Sequence, residues 1–311
     1  MNGSTLVFGS GATGRPIIET LAARGDRVRV AQRHAPAGLP AGVGHVACDV
    51  LDADAVMRAV EGAAQVVLAV AFPYDARVWR TAWPRAMANV LAACEASGAR
   101  LVFIDNLYQL GPQTEPRRED MALSDVGEKP AILAEVSRLW LAARDRVRVA
   151  ALRCADFYGP GVGNSHLGVF ALGALAKGRP AQLLVPPDTA HDFAYVPDIA
   201  RAVVTLLDAP DDAFGRAWNM PCAPTRTPRA LLAIGAAALG RRNRIWAVPL
   251  WLMRPLGLVY RMAKEVVDVG FTWDRPYVVD GSAFTQRFGF EPTSFAVGMP
   301  AAALSFLAKD G

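Results

Sequence analysis

The chain has 311 residues, of which 52% are apolar, and its formal net charge is +4. This length and composition are typical of a globular protein that buries a large core in one domain or in two. The small net charge, with no long run of Lys or Arg, excludes the basic face that a nucleic-acid partner requires.

The cysteines and histidines carry no metal-binding pattern. No C-x-x-C pair and no H-E-x-x-H spacing occurs, so we expect no metal site. The N-terminus enters a predicted strand within five residues, which leaves no room for a signal peptide. We therefore expect a cytoplasmic protein with reduced thiols. The cysteines are Cys48, Cys94, Cys154 and Cys222.

The first thirty residues contain the most informative pattern. An apolar run at 6–8 leads directly into Gly9-Ser10-Gly11-Ala12-Thr13-Gly14, a G-x-G-x-x-G turn. An amphipathic segment then predicts a helix that ends near Gly25, and residues 28–30 predict a second strand. Between a strand and a helix, this turn is typical of dinucleotide binding, because its glycines allow a tight bend and bring backbone N–H groups close to a pyrophosphate.

The end of the second predicted strand indicates which dinucleotide binds. NAD sites place Asp or Glu here to bind the ribose 2′-hydroxyl, whereas a 2′-phosphate requires a cation. Gln32 and Arg33 occupy this place, and Arg15 lies beside the glycine turn. Because guanidinium groups bind phosphate in a bidentate manner, the sequence predicts NADP(H), with NAD(H) as the alternative if Arg33 only lies at the surface.

Strands and helices continue to alternate along the chain. Short apolar strands are predicted at 44–48, 65–71 and 100–104. A helix capped by Asp52 or Asp54 and a second helix at 79–97, ended by Gly98, separate them. Strands without polar alternation, separated by helices, indicate a parallel sheet covered on both faces. The predicted fold class is α/β, a doubly wound parallel sheet of the Rossmann type.

The regular pattern ends near residue 160. A polar segment at 109–129 predicts a loop, and a helix at 131–144 and a strand at 147–153 follow it. We expect a dinucleotide-binding domain over 1–160 and a smaller, mainly helical substrate-binding region over 161–311, parts of which return to the first domain. The helices predicted in that region cover residues 167–177, 198–207 and 227–239.

An apolar stretch at 245–260 contains Trp246 and Trp251. Pro249 and Arg254 interrupt it before it reaches the roughly twenty residues that a membrane-spanning helix requires. We therefore expect no membrane span, and we expect a buried or pocket-covering helix pair, with contact to a membrane surface as the alternative.

Several motifs follow one another in a characteristic order and together resemble a known family. The chain is similar to the extended short-chain dehydrogenase/reductases and, more narrowly, to the NAD-dependent epimerase/dehydratase family, from Leu6 to about Pro292. The motifs are the glycine turn, Asp49-Val50, Ala69-Val70-Ala71, Leu152-Arg153-Cys154-Ala155-Asp156-Phe157-Tyr158-Gly159-Pro160 and His191-Asp192-Phe193-Ala194-Tyr195-Val196-Pro197-Asp198.

This resemblance implies roles for particular residues. Asp49 and Val50 would lie against the adenine, and Asp198 would cap the helix that follows it. The resemblance also implies a homodimer. The pyrophosphate would be held by Gly9, Gly11, Ala12, Thr13 and Gly14; the cofactor ribose would lie beside Ala69, Val70 and Ala71; and the nicotinamide would be approached by Cys154, Ala155, Asp156 and Phe157.

The catalytic part of the family pattern is missing from this sequence. The family carries a Ser or Thr after the fifth strand and a Tyr-x-x-x-Lys pair on the next helix, where the ammonium lowers the pKa of the phenol. Alignment on Gly111 puts Asn106 at the Ser/Thr place, and alignment on Glu135 puts Gly127 and Ala131 at the Tyr and Lys places. Neither Gly127 nor Ala131 can transfer a proton.

Few residues are available to replace the missing pair. Tyr108 follows Asn106 at the predicted carboxyl end of the fifth strand, and Lys129 lies two residues from the lysine place. A Tyr108 phenol near the Lys129 ammonium would replace the pair; the alternative is that Tyr108 lines a pocket and Lys129 is a solvated loop charge. Tyr260 and Lys264 have the family spacing but lie far beyond the expected helix, so we interpret them as a coincidence.

Three functions are consistent with this pattern. The first is an NADP(H)-dependent oxidoreductase that acts on a carbonyl or alcohol of a small, fairly apolar substrate, with Asn106 and Tyr108 polarising the oxygen. The second is a non-catalytic NADP(H) binder that reports redox state to a protein partner. The third is a nucleotide-sugar epimerase or dehydratase, whose substrate diphosphate would need cations such as Arg226, Arg229, Arg241, Arg242 and Arg244.

Overall fold

The computed structural model describes residues 3–249, 251–252, 255, 257 and 259–307. These residues divide into two units. Each unit has an apolar core of its own. Unit 1 contains the residues up to Gln109 together with Leu123–Arg153 and Ile199–Trp218, and unit 2 contains Leu110–Ala122, Cys154–Asp198 and the residues from Asn219 onward.

A seven-stranded sheet forms the centre of unit 1. The pairs formed among its first six strands are parallel, which confirms the predicted doubly wound fold. The strands are β1 (Ser4–Phe8), β2 (Val28–Gln32), β3 (Gly44–Ala47), β4 (Ala63–Leu68), β5 (Arg100–Asp105), β6 (Val149–Arg153) and β10 (Arg216–Asn219), in the spatial order β10-β6-β5-β4-β1-β2-β3. Because the order reverses between β1 and β4, the carboxyl ends of these two strands form the switch point where such sheets bind ligands.

Helices cover the strands of unit 1, and an aspartate side chain caps the start of the second and of the third helix. The Asp52 carboxylate accepts hydrogen bonds from the backbone N of Asp54 and Ala55, so Asp52 is the cap of the second helix. Gly98, with φ of +71°, ends the third helix as predicted. The helices are α1 (Gly14–Ala23), α2 (Ala53–Val60), α3 (Ala76–Ser97) and α4 (Glu128–Ala143).

Unit 2 contains short strands that the sequence pattern did not predict. Two pairs of three-residue strands are parallel, in addition to the helices. Strands of this length are too short to show an alternation of polar and apolar residues. The elements are β7 (Asp156–Tyr158), β8 (Ala181–Leu183), β9 (Phe193–Tyr195), β11 (Ile245–Ala247), α5 (Gly173–Ala176), α6 (Val196–Asp208), which continues into unit 1, α7 (Pro228–Ala238), α8 (Arg261–Asp268), α9 (Ser282–Phe288) and α10 (Phe295–Leu304).

Two expectations about unit 2 are wrong. Asp198 does not cap a helix, because α6 already begins at Val196; its carboxylate accepts hydrogen bonds from the backbone N and the hydroxyl of Thr293. We expected a buried or pocket-covering helix pair over 245–260, but this stretch begins as strand β11, and its Trp246 and Trp251 are 67% and 69% exposed. Met253 of this stretch lies outside the described residues. Among the described residues, none of the helices has the length and apolar character needed to span a bilayer.

Candidate functional site

The glycine turn connects β1 to α1 at the carboxyl edge of the sheet. Gly9 has a φ of +90°, and a Cβ built on it would lie 2.8 Å from the carbonyl oxygen of Ala69. A Cβ on Gly14 would lie 2.2 Å from the carbonyl oxygen of Gly9, whereas a Cβ on Gly11 would meet no atom within 4 Å. Gly9 and Gly14 are therefore required by packing inside unit 1, and Gly11 leaves open space for a ligand.

The first turn of α1 is suited to an anion. Thr13 precedes the helix without a side-chain cap, and no acidic residue lies in the first turn. The partial positive charge at this helix terminus is therefore not neutralised by the protein. Gly11 and Ala12 are exposed beside it. That these residues bind the pyrophosphate of a dinucleotide stays a prediction.

Gln32 at the end of β2 is held by a hydrogen-bond network. Its side-chain oxygen accepts from the backbone N and the hydroxyl of Ser10, at 3.1 and 2.7 Å, and its NH₂ group donates to the carbonyl oxygen of His34 at 2.7 Å. The side chain thus joins the glycine turn to the chain beyond β2. It supplies no carboxylate at the place where NAD sites carry one.

The two arginines predicted at this site have different environments. Arg15 donates to the carbonyl oxygens of Gly38 and Ala37 at 2.8 and 2.5 Å, so its guanidinium holds the loop after β2. Arg33 is exposed. The role of Arg33 at a 2′-phosphate stays a prediction.

The predicted adenine and ribose residues also lie at this edge of unit 1. Asp49 follows β3 and accepts from the backbone N of Leu51, and Val50 is buried and accepts from the side chain of Asn89. Ala69 directly follows β4 and is 6% exposed; Val70 and Ala71 are progressively more open. Their contacts with a cofactor stay predictions.

A buried carboxyl group organises the end of β5. Asp105 accepts from the backbone N of Asn106 at 2.9 Å and from the side chain of Gln109 at 2.7 Å, and the Arg153 Nε lies 3.7 Å from its Oδ2. Burial raises the pKa of Asp105 to about 6, although the Arg153 guanidinium and these hydrogen bonds act to lower it. Asp105 therefore titrates close to neutral pH and fixes the backbone that carries Asn106 and Tyr108.

Asn106 and Tyr108 lie next to this carboxyl group. The Asn106 Oδ1 accepts from the backbone N of Tyr108 at 2.9 Å, which leaves the NH₂ group of Asn106 as a donor. Tyr108 begins a short 3₁₀ helix, Tyr108–Leu110, and packs partly buried against the core of unit 1. The structure therefore holds the two candidate catalytic residues in one turn at the carboxyl end of β5.

The expectation that Lys129 is a loop residue is wrong. It lies in the first turn of α4, because α4 begins at Glu128, three residues earlier than predicted. Its side chain is fully buried. The Lys129 Nζ lies 4.3 Å from the ring centroid of Tyr74 and 5.8 Å from that of Trp79. Sequence reasoning missed Tyr74, although a tyrosine six residues beyond the end of β4 is a signal for a residue at the ligand-binding edge.

Gly127, aligned with the family's tyrosine, has a backbone conformation that favours glycine. Its φ is +95° and its ψ is 160°, a region that residues with a Cβ rarely adopt. Ala131, aligned with the lysine, lies in α4 and is half-buried. A tyrosine at position 127 would therefore require a change in the backbone that precedes α4.

In unit 2, the predicted nicotinamide residues begin directly after β6. Cys154 and Ala155 are buried, and Asp156 and Phe157 lie in β7. The Asp156 Oδ2 lies 2.8 Å from the Nε2 of His191, a fully buried ring stacked between Trp273 and Tyr277. Burial is the largest single influence on the pKa of Asp156 and acts to raise it, but the hydrogen bond with His191 and the electrostatic effects of His166 and His191 together lower the pKa below its usual value. Sequence reasoning missed this pair because its members are 35 residues apart.

The remaining candidates do not form a further site in the described residues. No group of three or more His, Cys, Asp or Glu side chains that could hold a metal ion occurs in the part of the chain that the structure describes. Tyr260 is 63% exposed and precedes α8, which carries Lys264. Neither residue belongs to unit 1, where the predicted dinucleotide site lies.

A family model matches residues 5–220 of the chain, and it describes the NAD dependent epimerase/dehydratase family. Among curated proteins, the chain is 28% identical over 295 residues to an uncharacterized protein of Mycobacterium tuberculosis, Rv2047c, and to an uncharacterized protein of Mycobacterium bovis, Mb2073c. Each match covers 91% of this chain and 27% of the relative, so the chain spans about a quarter of the length of these relatives.

Solved structures share the fold at low sequence identity. The UDP-glucose 4-epimerase of Thermus thermophilus, in complex with NAD, has a TM-score of 0.77 at 21% identity and covers 98% of this chain and 99% of its own. The UDP-glucuronic acid 4-epimerase of Bacillus cereus, in complex with UDP-glucuronic acid and NAD, has a TM-score of 0.79 at 16% identity, with the same coverage. At these identities, the likeness shows the fold.

The raised pKa of Asp105 makes stability depend on pH. The folded protein binds this proton more tightly than the unfolded chain, so the contribution to the free energy of unfolding is present at about pH 4 and is lost as the pH rises through about 6. We expect that loss to be about 3 kcal/mol. The free energy of unfolding of Asp105→Asn should lack this decrease. Urea unfolding of the variant and of the wild type between pH 4 and 7 will measure the difference. Asp49→Asn, an exposed carboxylate at the same edge, should keep the wild-type slope. An unchanged slope in Asp105→Asn would contradict this assignment.

Proposed function

Because this chain belongs to the NAD-dependent epimerase/dehydratase family, we propose that it binds a nicotinamide dinucleotide in unit 1 and catalyses hydride transfer at a hydroxyl-bearing or carbonyl carbon of a small substrate. The observation that carries this proposal is the glycine turn, in which Gly9 and Gly14 are packed against backbone while Gly11 leaves space beside an uncapped helix terminus. When bound, the nicotinamide supplies the hydride chemistry, and the protein binds and orients it.

We infer NADP(H) as the preferred dinucleotide. Gln32 supplies no carboxylate for a ribose 2′-hydroxyl, and its amide is held by Ser10 and His34. Arg33 is exposed directly beyond it, and Arg15 fixes the loop that follows. A guanidinium in this place favours the 2′-phosphate of NADP(H). The solved complexes of similar fold contain NAD, so NAD(H) is the alternative.

The catalytic roles are proposed for residues at the end of β5. The NH₂ group of Asn106 would donate to the substrate oxygen, and the Tyr108 phenol would give or take the proton. The buried Lys129 is proposed to replace the family lysine that assists the phenol. Cys154, Ala155, Asp156 and Phe157 are proposed to approach the nicotinamide.

We propose a nucleotide sugar as the first substrate class, ahead of the small apolar carbonyl compound that the sequence alone favoured. Family membership supports this order, since epimerases and dehydratases begin with hydride removal from a substrate carbon. We propose Arg226 as the cation of unit 2 that binds the diphosphate. Its carbonyl oxygen accepts a hydrogen bond from the backbone N of His191, the residue that pairs with Asp156. The Nε of Arg229 donates to the Oδ1 of Asp188 at 2.6 Å, so we do not propose Arg229 for this role.

A second candidate function is a dinucleotide binder without turnover. The observation that favours it is the loss of both proton-transferring residues at Gly127 and Ala131, together with a backbone at Gly127 that does not suit a tyrosine. Such a protein would retain the glycine turn and would report the redox state of its ligand to a partner.

The cellular setting is also a proposal. All four cysteines are free thiols, and burial raises the pKa of Cys48 to about 11 and that of Cys94 to about 12. Thiols of this kind are inert structural groups that suit a reducing cytoplasm. We propose that unit 2 binds the substrate and that the protein functions as a homodimer, as the family resemblance implies.

Arg33→Ala tests the choice of dinucleotide. We expect about tenfold to hundredfold weaker NADPH binding and unchanged NADH binding, because only NADPH carries the 2′-phosphate. Titrations followed by nicotinamide fluorescence will measure both affinities. Arg27→Ala, an exposed arginine at the opposite end of β2, is the matched control and should bind as the wild type does. Wild-type protein that binds NADH more tightly than NADPH would refute the preference.

Tyr108→Phe tests the acid role. We expect turnover to fall by about a hundredfold or more while NADPH affinity stays unchanged, because only the proton-transferring hydroxyl is lost. Tyr74→Phe is the control, since phenylalanine keeps the ring face beneath Lys129. The assay follows nicotinamide absorbance and sugar products with a panel of UDP-sugars and of small carbonyl compounds.

The outcomes of this assay separate the candidates. Full turnover of Tyr108→Phe, or a loss confined to Tyr74→Phe, would remove Tyr108 from the acid role. Turnover of the carbonyl compounds alone would restore the first interpretation of the sequence. Tight dinucleotide binding by the wild type with no turnover on either panel would favour the non-catalytic binder.

A further inference from the structure

Residues 241–264, which we name the basic aromatic segment, have an unusual charge pattern. The segment carries six cations and no Asp or Glu, although Asp and Glu together number 29 in the whole chain. It also contains two tryptophans and one tyrosine. A stretch of this kind attracts an anionic surface that also accepts aromatic rings. The cations are Arg241, Arg242, Arg244, Arg254, which lies outside the described residues, Arg261, whose Nε lies 3.9 Å from the Oε1 of Glu265 directly after the segment, and Lys264.

The aromatic residues of this segment are exposed, unlike those elsewhere in the chain. Of the seven tryptophans, five are at most 7% exposed, whereas Trp246 and Trp251 are 67% and 69% exposed. Tyr260 and Val259 are 63% and 78% exposed. Leaving two large aromatic side chains in water costs hydrophobic free energy, so an exposed pair in one short segment indicates a binding surface.

The described ends of the segment are anchored in unit 2. At one end, β11 pairs with β8 and places Trp246 opposite Gln182. Val248, directly after β11, packs against the buried side chains of Ala263 and Val266 in α8. The chain thus leaves this small apolar cluster at Val248 and returns to it at Ala263, and the exposed Trp251, Val259 and Tyr260 lie between these two points.

We propose that the basic aromatic segment docks unit 2 on the surface of an anionic lipid bilayer, without crossing it. Tryptophan and tyrosine rings are well accommodated at the level of the lipid headgroups, and arginine binds lipid phosphate in a bidentate manner. Exposed apolar side chains such as Val259 favour lipid over nucleic acid. The exposed Arg241, Arg242 and Arg244 also disfavour a symmetric contact with a second copy, which would bring like charges together. This proposal does not depend on the dinucleotide site.

Vesicle co-sedimentation of the full chain tests the proposal. We expect the wild type to sediment with vesicles of phosphatidylcholine containing about one third phosphatidylglycerol, and to stay in solution with phosphatidylcholine alone. Trp246→Ser/Trp251→Ser should lower the partition coefficient about tenfold, and so should Arg241→Gln/Arg242→Gln/Arg244→Gln. Because the replaced side chains are exposed, the melting temperature should stay within about two degrees of the wild type.

The control separates a specific surface from general electrostatic attraction. Arg27→Gln/Arg58→Gln/Arg85→Gln removes the same charge from exposed positions of unit 1 and should bind vesicles as the wild type does. Equal loss in this control, or no preference of the wild type for anionic vesicles, would overturn the proposal. Normal vesicle binding by Trp246→Ser/Trp251→Ser would also overturn the proposal. So would a result in which this variant binds vesicles as the wild type does and its only change is the conversion of a lipid-free dimer to a monomer, measured by sedimentation velocity.

Discussion

The close approach of three backbone segments at the carboxyl ends of β1 and β4 is the constraint on which the proposed site depends. Gly9 contacts Ala69 so closely that no side chain fits, and the start of α1 approaches Gly9 in the same way through Gly14. This packing fixes the direction in which the first turn of α1 points. No acidic residue or side-chain cap neutralises the partial positive charge of that turn, which therefore suits an anion. Because the N–H of Arg15 donates to the carbonyl oxygen of Gly11 and Pro16 has no N–H, the anion would be bound by N–H groups nearer the glycine turn.

Two polar networks extend this edge of unit 1. Gln32 connects the glycine turn to the chain after β2, so the residue that replaces a family carboxylate also has a structural role. At the other side, Asp105 holds the turn that carries Asn106 and Tyr108. Burial raises the pKa of this carboxyl group to about 6, so the charge beside the candidate catalytic turn changes as the pH falls below neutral.

The sequence was sufficient for the parallel sheet and the glycine turn because both leave strong local patterns. It was insufficient where contacts between residues distant in sequence determine the burial or the pairing of a side chain. Lys129 follows a polar segment, and only the packing of α4 on Tyr74 reveals that its ammonium is buried. His191 and Asp156 pair across 35 residues, and the strands of unit 2 are too short for periodicity. Hydrophobicity alone favoured a buried or pocket-covering helix pair over 245–260, because it does not report that 245–247 pair as a short strand or that Trp246 is exposed.

The affinity of Gly11→Ala for NADPH tests the central claim most directly. A methyl group at this position meets no protein atom, so the free energy of unfolding should change by less than about 0.5 kcal/mol. Calorimetric titration should nevertheless show at least about hundredfold weaker binding, because the methyl group fills the space proposed for the pyrophosphate. Gly270→Ala in unit 2, where a Cβ also meets nothing, should bind as the wild type does. Unimpaired NADPH binding by a folded Gly11→Ala variant would contradict the account.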